Sequence, residues 1–301
     1  MNPSPRADAA PFALELLRLL RPHQWIKNGF VFIGLLFSDA SNDWGLRSQV
    51  LLAAAGFCLL SSCVYVLNDV FDRDADRAHP LKRRRPLASG SVGLGAAFAL
   101  AAACAIAGFA LGAAASGGVA AVLMAYLVLN LAYSAGLKHV AILDVFIIAA
   151  GFMLRIFAGT WGVGIAPSQW LLLCGLLLTI FLGFAKRRAE LMVSEGDGVS
   201  GASQRPVLEE YNPAQLDTMM AISAAGVVVS YSLYTVSPAT VALHHTDKLI
   251  YTVPFVLYGI FRYIFLLHHR GGEDPASTLL TDAHMLVTGA AWLCVTLWLI
   301  W

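Results

Sequence analysis

The sequence predicts an all-α polytopic membrane protein, nine transmembrane helices in a bundle with the active side facing the cytoplasm. Three observations predict it. Hydrophobic residues make up 58% of the 301 positions and charged residues 13%, where soluble domains run about 45–50% and about 25%. Apolar stretches approaching the roughly 20 residues that a helix needs to cross a bilayer recur along the chain. Lys and Arg gather in alternate connections between those stretches. A net charge of +1 leaves no global basic surface for nucleic acid, and the apolar content excludes disorder.

In order, the apolar segments run near 26–40, 48–68, 91–113, 118–135, 142–161, 168–185, 214–236, 249–267 and 283–301. The first is short and broken by polar residues. The stretch leading into it, MNPSPRADAAPFALELLRLLRPHQW, lacks a compact apolar run with a small-residue cleavage site, so no cleaved signal peptide is expected. The third and fourth are crowded with Gly and Ala (AAFALAAACAIAGFALGAAA, GGVAAVLMAYLVL), which lets helix backbones approach closely in lipid. The second and sixth each run straight into a charged segment, at Asn68 and at Lys186. That weak repeat suggests one domain over 1–301 built of two four-helix halves, about 26–135 and 142–267, with a ninth helix at 283–301. The five Cys all fall inside apolar runs and read as small core residues, with no disulfide framework.

Topology follows from the cations. With the N-terminus cytoplasmic, the inside segments hold Arg6, Arg18, Arg21, Lys27, Arg73, Arg77, Lys82, Arg83, Arg84, Arg85, Lys138, Lys186, Arg187, Arg188, Arg205 and Arg270, while the outside holds Arg47 and Lys248. This asymmetry predicts a multi-pass membrane protein, N-terminus in and C-terminus out. The long polar connections, 69–90 and 186–213, are also inside, and function is expected on that face.

The sharpest chemical feature is Asn68-Asp69-Val70-Phe71-Asp72-Arg73-Asp74-Ala75-Asp76. At about 100° per residue, Asn68, Asp69, Asp72 and Asp76 share one helix face and Asp74 leaves it. Carboxylates on one face repel unless a partner neutralises them, and Mg²⁺ takes one or two carboxylates together with phosphate oxygens and water. The plain alternative is a solvated helix end with its Asp paired to Arg73 and Arg77. The loop that follows, His79-Pro80-Leu81-Lys82-Arg83-Arg84-Arg85-Pro86, sets cations beside those acids, as a site for a metal-carrying polyanion would. Simple retention of positive charge inside is the competing explanation. Arg155 lies deep in the fifth segment, where an ionisable side chain marks a functional site unless it is an interhelical ion pair. Arg262 sits similarly but belongs to no motif. Gly271–Pro275, in the last inside loop, is a candidate cover over the site.

Asn-Asp-x-x-Asp-x-x-x-Asp at the end of the second of nine helices resembles the UbiA-type intramembrane prenyltransferase superfamily, over nearly the whole chain. Four segments in order, Arg21–Asn28, NDVFDRDADRAHPLKRRRPLASG, Leu131–Gly159 and Lys186–Leu191, resemble its branch of decaprenyl-phosphate phosphoribosyltransferases. Ordinary members carry a second Asp-rich motif after the sixth helix; here that place reads Gly183-Phe184-Ala185-Lys186-Arg187-Arg188-Ala189-Glu190. One acidic and one basic motif suit two differently charged ligands: a Mg²⁺-bound pyrophosphate, as in phosphoribosyl pyrophosphate, and a metal-free monophosphate.

The resemblance implies Mg²⁺ as cofactor, held by Asn68, Asp69, Asp72 and Asp76, and phosphoribosyl pyrophosphate, a polyprenyl phosphate and the lipid bilayer, that of the bacterial inner (plasma) membrane, as partners. It implies catalytic roles for Asp69, Asp72, Lys138 and Arg187, and substrate binding by Lys27, Asn68, Lys82, Arg85, Tyr133, Arg155, Lys186 and Arg188. Tyr133 and Lys138 correspond to a Tyr-x-x-x-Lys element of the superfamily with one more residue between them. The expected reaction moves 5-phosphoribose to the lipid phosphate and releases pyrophosphate, for a lipid-linked arabinose donor in cell-envelope polysaccharide synthesis. Competing readings are a prenyl-diphosphate-dependent aromatic prenyltransferase and a lipid-phosphate carrier or flippase. Homo-oligomerisation is left open.

Overall fold

The computed structural model of the chain describes residues 11–38, 43–79, 82–196, 206–270 and 281–300. Arg6, Pro80, Leu81, Arg205 and the expected cover Gly271–Pro275 lie outside them. The described helices are α1 Phe12–Leu20, α2 Trp44–Phe71, α3 Leu94–Ala115, α4 Gly117–Ala135, α5 Leu143–Ala158, α6 Gln169–Gly196, α7 Pro213–Val236, α8 Val253–Arg270 and α9 Ala283–Ile300, with short turns between them and no strand among the described residues. Eight of these, α2 to α9, are long and apolar enough to cross a membrane, α5 and α8 when counted with the 3₁₀ turns that adjoin them.

The remaining expected segment takes a different form. Pro22–Phe32 is an 11-residue 3₁₀ helix that runs into the 4-residue helix Ile33–Leu36. Its start is tied to the C-terminal end of α2, where Arg21 meets Asp69. Further along, Trp25 donates to Ser62 and Asn28 meets Ser61 and Cys58, moving back down α2. It ends against the C-terminal end of α5, at Gly159 and Thr160. The segment therefore traverses the bundle. As an α-helix its residues would reach only about 22 Å, but at about 2.0 Å per residue the 3₁₀ part alone covers that distance and the final turn adds about 6 Å. A segment too short to cross as α-helix is stretched to fit.

α2 and α6 are each 28 residues long, about 42 Å, against a hydrocarbon layer of about 30 Å. Their C-terminal parts lie at the same end of the bundle, both reached by the end of α4, with Asn68–Phe71 in the last turn of α2 and Lys186 ten residues before the end of α6. Asp43 caps α2 by accepting from the backbone of Gly45 and Leu46, and Ser116 alone joins α3 to α4, capping Val119. Buried apolar side chains form two large clusters, one around Val31, Phe57, Leu123 and Ala158, the other around Val145, Phe181, Val227 and Ile260. A smaller one pins α1 to α2 and α3 through Leu19, Val66 and Ala97.

Backbone contact replaces side-chain packing where glycines meet a neighbouring element. A Cβ on Gly56 of α2 would stand 3.0 Å from the Gly108 carbonyl oxygen of α3, the close approach expected of the Gly/Ala-rich segments. A Cβ on Gly159 would stand 1.7 Å from the Val31 carbonyl oxygen. Gly159→Ala should therefore force the 3₁₀ crossing off α5, at a cost of about 1–3 kcal/mol for overpacking. Thermal unfolding of the purified variant in detergent checks this, and an unchanged midpoint would contradict the packing described.

Candidate active site

The polar end of α2 breaks but keeps its register. Asp72 caps α2, and Arg73–Ala78 restarts as a short helix. The Asp72 N–H donates to the Asn68 carbonyl at 2.8 Å and the Asp76 N–H to the Asp72 carbonyl at 2.8 Å. Residues 68, 72 and 76 thus stay stacked at helical spacing, while the Asp74 side chain is 93% exposed.

Each acid of that row faces a cation brought from elsewhere. Asp69, buried, accepts from Arg21 Nη2 at 2.5 Å and from Arg85 Nη1 at 3.1 Å. The same Arg85 nitrogen donates to Asp76, also buried, at 2.7 Å. Asp72, the most open of the three, lies 3.1 Å from Lys138 Nζ. Asn68 Oδ1 accepts from Ser134 Oγ at 2.6 Å. Arg73 and Arg77 turn away from the row. Their Nε groups donate to the carbonyls of Leu87 and Ala88, fastening the turn Pro86–Ser89 whose first flanking residue is Arg85. Lys82 is half-buried beside His79, and Arg83 and Arg84 are exposed. Burial and the Lys82 ammonium hold His79 below its ordinary pKa.

Among the described residues no three His, Cys, Asp or Glu side chains converge as a metal cage. A Mg²⁺ that shares its coordination with phosphate and water needs only one or two carboxylates. The row offers oxygen donors alone, with Asp72 open at its centre, so its chemistry fits a hard cation.

A second polar cluster stands on α6. Arg187, expected to be catalytic, has no exposed surface. Its Nε donates to Asp144 Oδ2 at 2.6 Å, Nη1 to Glu190, and Nη2 to the Tyr133 hydroxyl at 3.5 Å. The other oxygen of Asp144 accepts from the Tyr211 hydroxyl at 2.8 Å. The end of α4 and the loop after it join the clusters: Ser134 and Lys138 reach the acidic row, and Tyr133 reaches Arg187.

Other expected residues are placed apart. Arg188 turns to α7, where Nε donates to Asp217 at 3.1 Å. Lys186 is half-buried one helical turn above Leu182. Lys27 is half-buried on the 3₁₀ crossing, next to Asn28. Arg155 is buried in the bundle, donating to Asn28 Oδ1 at 2.7 Å, the Gly151 carbonyl at 2.8 Å and the Tyr126 hydroxyl at 3.2 Å. The rings of Phe57, Tyr126 and Phe152 surround it at 4.9–5.5 Å, so oxygens and ring faces surround the guanidinium rather than the interhelical carboxylate considered from sequence. Arg262 forms a paired contact with Asp282, the cap of α9.

Sequence reasoning did not select Arg21, Ser134, Glu190 or Tyr211 as site residues. Arg21 carried a signal, a cation at the threshold of the first apolar segment. Tyr211 carried none beyond its place just before α7.

The charge pairing sets a stability test. Asp69→Asn would leave Arg21 facing a neutral amide and Arg85 with Asp76 alone, and losing these contacts costs about 1–3 kcal/mol because both guanidinium groups are partly exposed. Asp74→Asn should stay within about 0.5 kcal/mol. Unfolding in detergent measures both, and equal effects would contradict the pairing.

A sequence model of the UbiA prenyltransferase family matches residues 29–300. A decaprenyl-phosphate phosphoribosyltransferase of Corynebacterium glutamicum is 35% identical over 291 residues, spanning 94% of this chain and 86% of that protein. The protein of that name from Mycolicibacterium smegmatis is 35% identical over 289 residues, spanning 92% and 90%. Among solved structures, a UbiA homologue from Archaeoglobus fulgidus bound to GPP and Mg²⁺ superposes with a TM-score of 0.71 at 18% identity, over 95% of this chain and 99% of that one.

Proposed function

The chain belongs to the UbiA prenyltransferase family, and on that premise we propose that it transfers 5-phosphoribose from phosphoribosyl pyrophosphate to a polyprenyl phosphate of decaprenyl type. One observation carries the choice within the family. The polar end of α2 carries carboxylates, whereas the α6 segment at the same end of the bundle carries Lys186, Arg187 and Arg188, of which Lys186 and Arg188 are half-buried and Arg187 is buried. The names of the curated relatives support the same reading. A prenyl-diphosphate donor served by two acidic motifs lacks its second motif here.

In the reaction an oxygen of the acceptor phosphate attacks C1 of the ribose as the bond from C1 to pyrophosphate breaks, with inversion. Pyrophosphate leaves with the bonding electrons. The nucleophile is already an anion, so no strong general base is required. Asn68, Asp69, Asp72 and Asp76 would hold Mg²⁺, which when bound supplies positive charge to the leaving pyrophosphate. Arg85, Lys82 and Lys138 stand beside that row to bind the donor's phosphates, at about 1.5–3 kcal/mol for each charged contact. Lys186 and Arg188 give the α6 side its positive charge for the acceptor. Arg187, wholly buried, acts through Tyr133 and Glu190 rather than by contact. Arg155 acts at depth, holding the 3₁₀ crossing through Asn28 and with it Arg21, and Lys27, on the crossing itself, is assigned to substrate binding.

The acceptor's chain has a place beneath. A cavity of about 400 Å³ between the crossing and α5 to α9 is lined by Phe30, Ile33, Leu178, Leu182, Tyr231 and Trp292 among others. Lys186, one turn above Leu182, marks its polar end. A second cavity of about 750 Å³ at the opposite end of the bundle shares Phe37 and Tyr234 with it and favours the carrier reading. Among the described residues that line that cavity there is no Lys or Arg to meet a phosphate.

The chain is a multi-pass membrane protein. The proposal puts it in the bacterial plasma membrane with both polar clusters toward cytosolic phosphoribosyl pyrophosphate, its product feeding a lipid-linked arabinose donor. It also treats 1–301 as one unit of two four-helix halves and a ninth helix.

Membranes containing the protein, given ribose-labelled phosphoribosyl pyrophosphate, Mg²⁺ and decaprenyl phosphate, should yield a labelled lipid and one equivalent of pyrophosphate. Label in lipid only when prenyl diphosphate and an aromatic acceptor are supplied instead would overturn the proposal, as would movement of unmodified lipid phosphate with no pyrophosphate released.

A further inference from the structure

We infer that Tyr211 is a positioning residue for both polar clusters, its one hydroxyl tying the loop that carries Lys138 to the carboxylate that holds Arg187. Tyr211 follows the 3₁₀ turn Pro206–Glu210 and precedes α7, whose cap is Asn212. Its ring is buried in the large core cluster with Val207 and Leu216. The hydroxyl donates to Asp144 Oδ1 at 2.8 Å and accepts from the Ile142 backbone N–H at 2.6 Å. Burial pushes the phenol well above its ordinary pKa, so it keeps the proton it donates.

Both partners are unusual. Ile142 has φ 68° and ψ −50°, a conformation that β-branched residues rarely adopt and that persists only where its surroundings hold it. It ends the loop that begins after α4, four residues past Lys138, whose ammonium meets Asp72. Asp144 is buried and passes the contact on to Arg187, which meets Tyr133. Removing one oxygen atom from Tyr211 therefore releases the strained end of the Lys138 loop and leaves Asp144 with one less donor, without changing the ring that fills the core. The kinetic part of this inference rests on the phosphoribosyl transfer proposed above.

Tyr211→Phe in the full-length protein is the test. Wild-type protein is assayed first, so that absence of labelled lipid there reports on the proposed reaction and not on Tyr211. Given that activity, Tyr211→Phe should lower kcat by about ten- to a hundredfold per folded molecule, the effect of a small misplacement of reacting groups. The Tyr211→Phe/Lys138→Ala double variant should lose no more than about threefold beyond Lys138→Ala alone, because residues that act through one network are not additive. Wild-type kcat, or a double loss equal to the product of the single losses, would overturn the inference. A readout independent of turnover is amide exchange: in Tyr211→Phe, residues 137–143 should exchange at least about tenfold faster while α2 keeps its protection. Unchanged exchange over 137–143 would overturn it equally. If Tyr211→Phe does not accumulate, Asp144→Asn, which leaves the Tyr211 ring in place, takes its role in the exchange measurement alone, with exchange over 137–143 at least about tenfold faster supporting the inference and unchanged exchange overturning it.

Discussion

The structure depends on neutralising a row of carboxylates at the end of one long helix. Asp69, Asp72 and Asp76 stack where α2 leaves the hydrocarbon, and their mutual repulsion is met by Arg21, Arg85 and Lys138. Those cations come from three places: the threshold of the 3₁₀ crossing, the loop after the row, and the loop after α4. Breaking the pairs at Asp69 leaves charges without partners and costs about 1–3 kcal/mol. The row therefore gathers the surrounding chain around itself. It is also where the proposed chemistry would take place, because a diphosphate that brings Mg²⁺ would satisfy the acids and the cations together.

The second cluster is built on the opposite principle. Arg187 is a single cation surrounded by acceptors, with Asp144, Glu190 and Tyr133 around one guanidinium. Such a group is fixed in place rather than presented. Lys186 and Arg188, its neighbours in sequence, point to other faces of α6 and meet other surroundings, since successive residues are about 100° apart. One basic run thus supplies a buried organiser on one face and separate cations on the others. The apolar cavity beneath joins this side, which fits an acceptor that is a long hydrocarbon with a small charged head.

Much of this was legible in the sequence because the signals are local. Apolar length marked the spans, alternate placement of cations marked the faces, and the spacing of Asn68, Asp69, Asp72 and Asp76 marked the acidic row, with Asp74 outside it. What was not legible are partnerships across long separations. Arg21 and Asp69 are 48 residues apart, and Tyr211 and Asp144 are 67 apart. Nothing in either neighbourhood specifies the other. The 3₁₀ form of Pro22–Phe32 was hidden for a different reason. Composition reports that a segment is apolar, whereas its rise per residue is set by the distance between anchors at Asp69 and Gly159 that only the assembled bundle defines.

On the proposed reaction, one cluster would serve a metal-borne pyrophosphate and the other a metal-free phosphate. Equilibrium binding of phosphoribosyl pyrophosphate and of decaprenyl phosphate to purified protein in lipid nanodiscs, each measured with Mg²⁺ and with excess chelator, tests this most directly. The account predicts that chelation weakens phosphoribosyl pyrophosphate binding by about a hundredfold or more, the scale of losing two charge-assisted contacts, and leaves decaprenyl phosphate binding within about threefold. Equal dependence of both ligands on Mg²⁺, or metal-independent binding of phosphoribosyl pyrophosphate, would contradict it.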